Sequence, residues 1–185
     1  MYRYFAYGSV LSMRHLAEWS AEHGVDARLF AQGTPAVLRG HSLIFDVESR
    51  FWGGKVADLA ADEGGAVHGV LFELSPEARE AVLRKEGVPT GLSMEVPVRV
   101  EAAGKQVDAH AFVARPERRT EPGAGSGRLL GYLLEGARER GLPQVWIERL
   151  EAEAAKASPA GAAPASAAPA SRPGLATLKP KPRQA

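Results

Sequence analysis

Tyr2-Arg3-Tyr4-Phe5-Ala6-Tyr7-Gly8-Ser9-Val10-Leu11 is an aromatic run that stops abruptly at Gly8-Ser9. Bulky aromatic residues at successive positions suit a strand, and Gly-Ser breaks one. The pattern predicts a strand over Tyr2–Ala6 followed by a loop. Ser12 then stands as an N-cap for a helix through His23, with Leu16 and Trp19 on one face and Gly24 after its end.

The rest of the chain must supply partners for that first strand. Ala36–Leu38 and Ser42–Val47 read as strands separated by Gly40, Trp52-Gly53-Gly54 as a turn, Lys55–Leu59 as a short strand and Val67–Leu74 as a buried one. Ser75-Pro76-Glu77 combines an N-cap, a proline at the first helical position and an acid near the positive end of the dipole. That helix stops at Glu86-Gly87. Met94–Val100 and Val107–Val113 alternate around Gly104 as a hairpin, which confines Pro97 to an edge or bulge. Ser126 caps a helix whose core face is Leu129, Leu130, Leu133, Leu134 and Ala137, ended by Gly141-Leu142-Pro143. Residues 144–156 form a last amphipathic helix. Strands come in clusters rather than in strict strand–helix alternation. The class expected is therefore α+β, a small mixed sheet or barrel with helices around it.

The 185 residues suffice for one domain with a real core, expected over 1–156. Residues 157–185 turn to Ala, Pro and Ser and end on Lys179-Pro180-Lys181-Pro182-Arg183. Such a segment buries too little apolar surface to offset its ordering entropy, and a disordered basic tail is expected there. The tail is inert or a docking segment for a protein partner. Residues 1–150 carry 18 Lys/Arg against 20 Asp/Glu, and residues 151–185 carry 5 against 2. A near-neutral domain makes no electrostatic case for nucleic acid. The opening residues are too polar for a signal peptide and no apolar run is long enough to span a membrane, so a cytoplasmic location and no membrane partner are expected.

With no cysteine, disulfides, zinc–thiolate sites and Cys nucleophiles are excluded. The histidines at 15, 23, 41, 68 and 110 show no metal-binding spacing. Two places remain. At Tyr7-Gly8-Ser9-Val10-Leu11 a glycine at a strand-to-loop break lets backbone N–H groups approach a carboxylate or oxyanion. At Glu86 a carboxylate meets the negative end of a helix dipole, which raises its pKa toward the range useful to a general acid or base. Taken singly, the first reads as an ordinary turn and the second as a surface residue before a capping glycine.

Several stretches in order change that. Tyr4-Phe5-Ala6-Tyr7-Gly8-Ser9-Val10-Leu11 resembles the N-terminal signature of the gamma-glutamylcyclotransferase-like (AIG2-like) family, usually Y-G-S-N-L. Ala36–Phe45, Trp52–Asp58 and Val67–Leu74 are similar to its next strands. Arg84-Lys85-Glu86-Gly87 resembles its catalytic E-G, and Glu135–Pro143 its E-G-A-x-x-x-G-L-P. The resemblance covers about residues 4–150 and implies a small mixed β-barrel flanked by helices. It also implies a cofactor-free enzyme that cyclises a small-molecule γ-glutamyl substrate to 5-oxoproline and frees an amine. Carried over, Glu86 moves the proton and Tyr7, Gly8, Ser9, Val10 and Leu11 hold the glutamyl end. Val10 stands where the family has Asn, Leu83 where it often has Asp, and Leu129 where a Tyr is expected. These changes keep a second reading open, a catalytically dead or repurposed binding or scaffold protein on the same fold.

Overall fold

Residues 1–157 are described by the computed structural model of this chain. The expected tail lies, from Ser158 on, outside the described residues.

The opening aromatic run forms β1 (Tyr2–Ala6). Its partners come from two hairpins, β2 (Thr34–Ser49) with β3 (Gly54–Leu74) and β4 (Ser93–Ala102) with β5 (Lys105–Ala114). Strand order is β1-β3-β2-β4-β5, closed into a barrel. β1 runs antiparallel to β3 from Tyr2 opposite Leu74 to Ala6 opposite Val70, and parallel to β5 at Tyr4 opposite His110. That parallel pairing makes the barrel mixed. β2 meets β4 only at Ala36–Ala102 and Val37–Glu101. Pro97 therefore lies along a stretch of β4 with a partner on one side, where its missing N–H costs nothing.

Four strands read from the pattern around residues 36–74 are two. The pairing slips between Arg39 and His41 and between Phe45 and Val47 but continues on either side. Residues 60–66 read as loop because Asp62, Glu63, Gly64 and Gly65 carry no apolar period, yet they belong to β3. Both faces there are largely exposed, so no alternation is imposed.

The helices form where their caps fall. Ser12, Ser75 and Ser126 each accept a hydrogen bond from the backbone three residues on, starting α1 (Met13–His23), α2 (Pro76–Lys85) and α3 (Gly127–Glu139). α4 (Gln144–Lys156) follows. Phe5, Phe30, Phe72, Leu130, Leu133 and Leu150 are fully buried in the core they share.

Inside the barrel lie two buried carboxylates, Asp46 and Asp58. Arg119 reaches both, at 4.0 Å and 2.8 Å, and the Ala114 N–H donates to Asp58 at 3.1 Å.

Candidate active site

Between β1 and α1 the chain turns through a short 3₁₀ segment, Ser9–Leu11. The Leu11 N–H donates to the Gly8 carbonyl at 3.1 Å and the Ser12 N–H to that of Ser9 at 3.2 Å. The N–H groups of Gly8, Ser9 and Val10 come before the first bond of this turn and have no carbonyl within it. α3 holds the turn in place. A Cβ on Gly136 would lie 2.4 Å from the Leu11 carbonyl carbon, so only glycine allows this approach. Arg140 then donates to the carbonyls of Leu11 (3.2 Å), Phe30 (3.0 Å) and Ala31 (3.0 Å). The Glu135–Pro143 motif is thus a brace for the Gly8-Ser9 turn.

Glu86 caps the C-terminus of α2, and Gly87 at φ 72° turns the chain away in the left-handed region. The Tyr4 hydroxyl donates to the Glu86 carboxylate at 3.1 Å. Ser93 donates from its hydroxyl to the Glu86 carbonyl. Burial pushes the Glu86 carboxyl above its ordinary value of 4.5, against the opposing pull of Lys85 and Tyr4. Desolvation rather than the helix dipole is the leading cause.

Lys85, which the sequence presents as an ordinary basic residue in a last helical turn, enters the same site. Its ammonium donates to His15 Nε2 at 2.9 Å and Ser9 Oγ at 3.3 Å, and lies 5.4 Å from the centre of the Trp19 ring. His15 is 5% exposed and packs against Trp52 and Tyr132 at 5.1 and 4.9 Å. Burial first, then the cations Lys85, Arg128 and Arg14, hold its pKa down at about 3, so the ring is neutral and accepts from Lys85. Burial also lowers the pKa of Lys85.

Glu86, Lys85, His15, Trp19 and Trp52 border one cavity of about 490 Å³, an ordinary size for a small-molecule site. Of the loop residues singled out in the sequence, Tyr7, Gly8 and Ser9 line it, with Glu86. Val10 and Leu11 do not. Their side chains are in the core at 1% exposure, and the Leu11 N–H is already taken by Gly8. Tyr7 is fixed by its hydroxyl bond to the Phe112 carbonyl at 2.5 Å. Gly8 has φ −108°, and a Cβ there would meet nothing within 4 Å, so the fold itself makes no demand for glycine at this place. Of the three family departures, only Leu129 borders the cavity, which stays open. Among the described residues no group of three or more His, Asp or Glu side chains is placed to hold a metal ion.

Fold and site together define a small mixed-barrel protein with a carboxyl, an ammonium and a backbone turn on one cavity. A family model described as the AIG2-like family matches residues 66–150, which include Glu86. Gamma-glutamylcyclotransferase of Mus musculus is 28% identical over 156 residues, 80% of this chain and 77% of that one. A solved gamma-glutamyl cyclotransferase shares the fold with a TM-score of 0.68 at 23% identity, over 82% of this chain and 86% of that one. YkqA from Bacillus subtilis does so with a TM-score of 0.72 at 25% identity, over 86% of this chain and 56% of that one. Over residues 66–150 the chain is similar to the AIG2-like family, and over 156 residues it is similar to gamma-glutamylcyclotransferase. Among the described residues no helix is long and apolar enough to cross a membrane.

Proposed function

We propose that the protein is a cofactor-free cyclotransferase that converts a γ-glutamyl amine or peptide to 5-oxoproline and a free amine, through residues of the 1–156 domain. The observation that carries this reading is the meeting of Glu86 and the Tyr7-Gly8-Ser9 turn on one cavity. Glu86 takes a proton from the substrate's α-ammonium. The freed nitrogen attacks the γ-carbonyl carbon and closes a five-membered ring. The ring nitrogen gives up its second proton as the bond from that carbon to the leaving nitrogen breaks, and Glu86 relays both protons in turn to the departing nitrogen, which leaves as an ammonium. N–H groups of the turn face the carboxylate and the charge that develops on the γ-oxygen. Holding the glutamyl chain curled supplies several kcal/mol of the barrier by orientation alone, about 7–11 where the alignment is best.

A raised pKa suits the role of Glu86. The carboxylate must be ionised to act as base, so the acid limb of kcat/KM lies above pH 4.5. The test is 5-oxoproline release across a panel of γ-glutamyl compounds by the wild type and Glu86→Gln. Turnover by the wild type that the variant loses supports the reading. Equal turnover by both removes Glu86 from the chemistry. Silence of both across the panel favours a binding protein on the same fold, a reading to which Val10 and Leu129 lend the side-chain changes already described.

A further inference from the structure

An α-amino acid head is a zwitterion, an ammonium and a carboxylate on one carbon. Glu86 and Lys85, adjacent in sequence at the end of α2, both line the cavity and present the opposite pair of charges. Each favours the charged form of the other, yet the two make no direct ion pair. Among the described residues, no ion pair joins either of them to any partner within 4.0 Å. Glu86 is bonded to the Tyr4 hydroxyl, and Lys85 to a hydroxyl and a neutral imidazole. An ammonium has three N–H donors, and these contacts use two. Charge removed from water is normally paired, and burial already works against the charged form of Lys85. His15, Ser9 and Trp19 surround this ammonium with groups that hold it in place without satisfying its charge.

We propose that Lys85, steadied by His15 and Ser9, is the specificity-determining counter-ion for the α-carboxylate of the substrate's glutamyl end, while Glu86 faces the α-ammonium of the same carbon. This rests on the cyclotransferase reading and deepens it. Side-chain recognition shifts from position 10, where the Val10 side chain is buried in the core and carries no donor, to position 85. The residue singles out γ-glutamyl compounds from 4-aminobutyryl compounds, which have the same amide and amine but no α-carboxylate.

The test compares wild type, Lys85→Met and Lys85→Arg on a γ-glutamyl amide and on the 4-aminobutyryl amide of the same amine. Folding of each variant is checked by circular dichroism. Loss of one charge-assisted bond raises KM for the γ-glutamyl amide by about 10- to 100-fold in Lys85→Met, with partial recovery in Lys85→Arg. KM for the 4-aminobutyryl amide stays unchanged, so the preference collapses. An equal fall in kcat/KM on both substrates, or no change on either, overturns the proposal. Binding is read separately by NMR titration with 5-oxoproline and with uncharged 2-pyrrolidinone. A wild type that fails to turn over any γ-glutamyl compound, yet binds 5-oxoproline through Lys85, removes the cyclotransferase reading and leaves this one. Binding of 5-oxoproline no tighter than 2-pyrrolidinone in the wild type removes this one.

Discussion

The barrel interior and the cavity wall treat charge in opposite ways. Inside the barrel, Asp46 and Asp58 share Arg119, and the Ala114 N–H adds a further bond to Asp58. On the cavity wall, Glu86 and Lys85 are bonded only to neutral groups and to nothing of opposite charge. The first arrangement uses charge to hold strands together. The second leaves both charges bordering open space, as the proposed substrate site requires. A half-buried ionic group thus reads as structural when its partner is another protein charge, and as functional when its partners are neutral and it borders open space.

That contrast can be broken in four ways. Glu86→Gln carries the largest effect. Turnover should fall by a factor of about 10² to 10⁴ while stability holds or rises, because Gln keeps the Tyr4 bond and removes a charge that burial disfavours. Calorimetry showing a large loss of stability would move Glu86 to the structural side. Arg119→Met should do the reverse. It strands two buried carboxylates and costs about 3 kcal/mol, the low end for breaking a buried pair since the Arg119 side chain is 35% exposed. Kinetics of the folded fraction should be unchanged. An inactive but stable Arg119→Met would erase the distinction.

His15 allows a sharper test by pH. Its folded pKa of about 3 is below the ordinary 6.5, so between those values the unfolded chain binds the proton and the folded one refuses it. Stability from this group is complete above pH 6.5 and falls as pH drops, by about 1.4 kcal/mol per unit. Glu86 and Asp58, both raised by burial, act the other way in acid, so the readout is a difference. From urea midpoints, His15→Gln should gain about 2.7 kcal/mol on wild type between pH 7.5 and 4.5. Parallel curves would mean that His15 is protonated in the fold.

Gly8→Ala should have the smallest effect on stability, about 0.4–1 kcal/mol in the stabilising direction, because φ −108° suits alanine and its Cβ meets open space. A variant that keeps its melting temperature and loses turnover places the need for glycine in the ligand. A large drop in melting temperature would return that need to the fold.

Much of this was legible in the residues, and the failures have physical causes. Serine caps at 12, 75 and 126 start helices because a hydroxyl satisfies a backbone N–H locally, without help from distant chain. The hairpin at 93–114 was legible because one of its faces is buried and imposes a period of two. The continuity of β3 was not, since Asp62–Gly65 pair with nothing apolar on either face. In the site, Glu86 was singled out by the family motif around it, since its place before Gly87 alone reads as a surface residue at a helix end. Lys85 was not, because a lysine in the last turn of a helix already has an explanation in the dipole. Its true surroundings come from α1 and the turn before it, 70 and 76 residues away.

The brace from Arg140 to Leu11 spans 129 residues. On a ribosome adding about 5–20 residues each second, Leu11 waits roughly 6 to 26 s for the arginine that fixes it. For most of that time β1 also lacks its parallel neighbour, because β5 is made only shortly before α3. The turn is thus made well before the arginine that fixes it, and a nascent chain sets the proposed site only once α3 has been made.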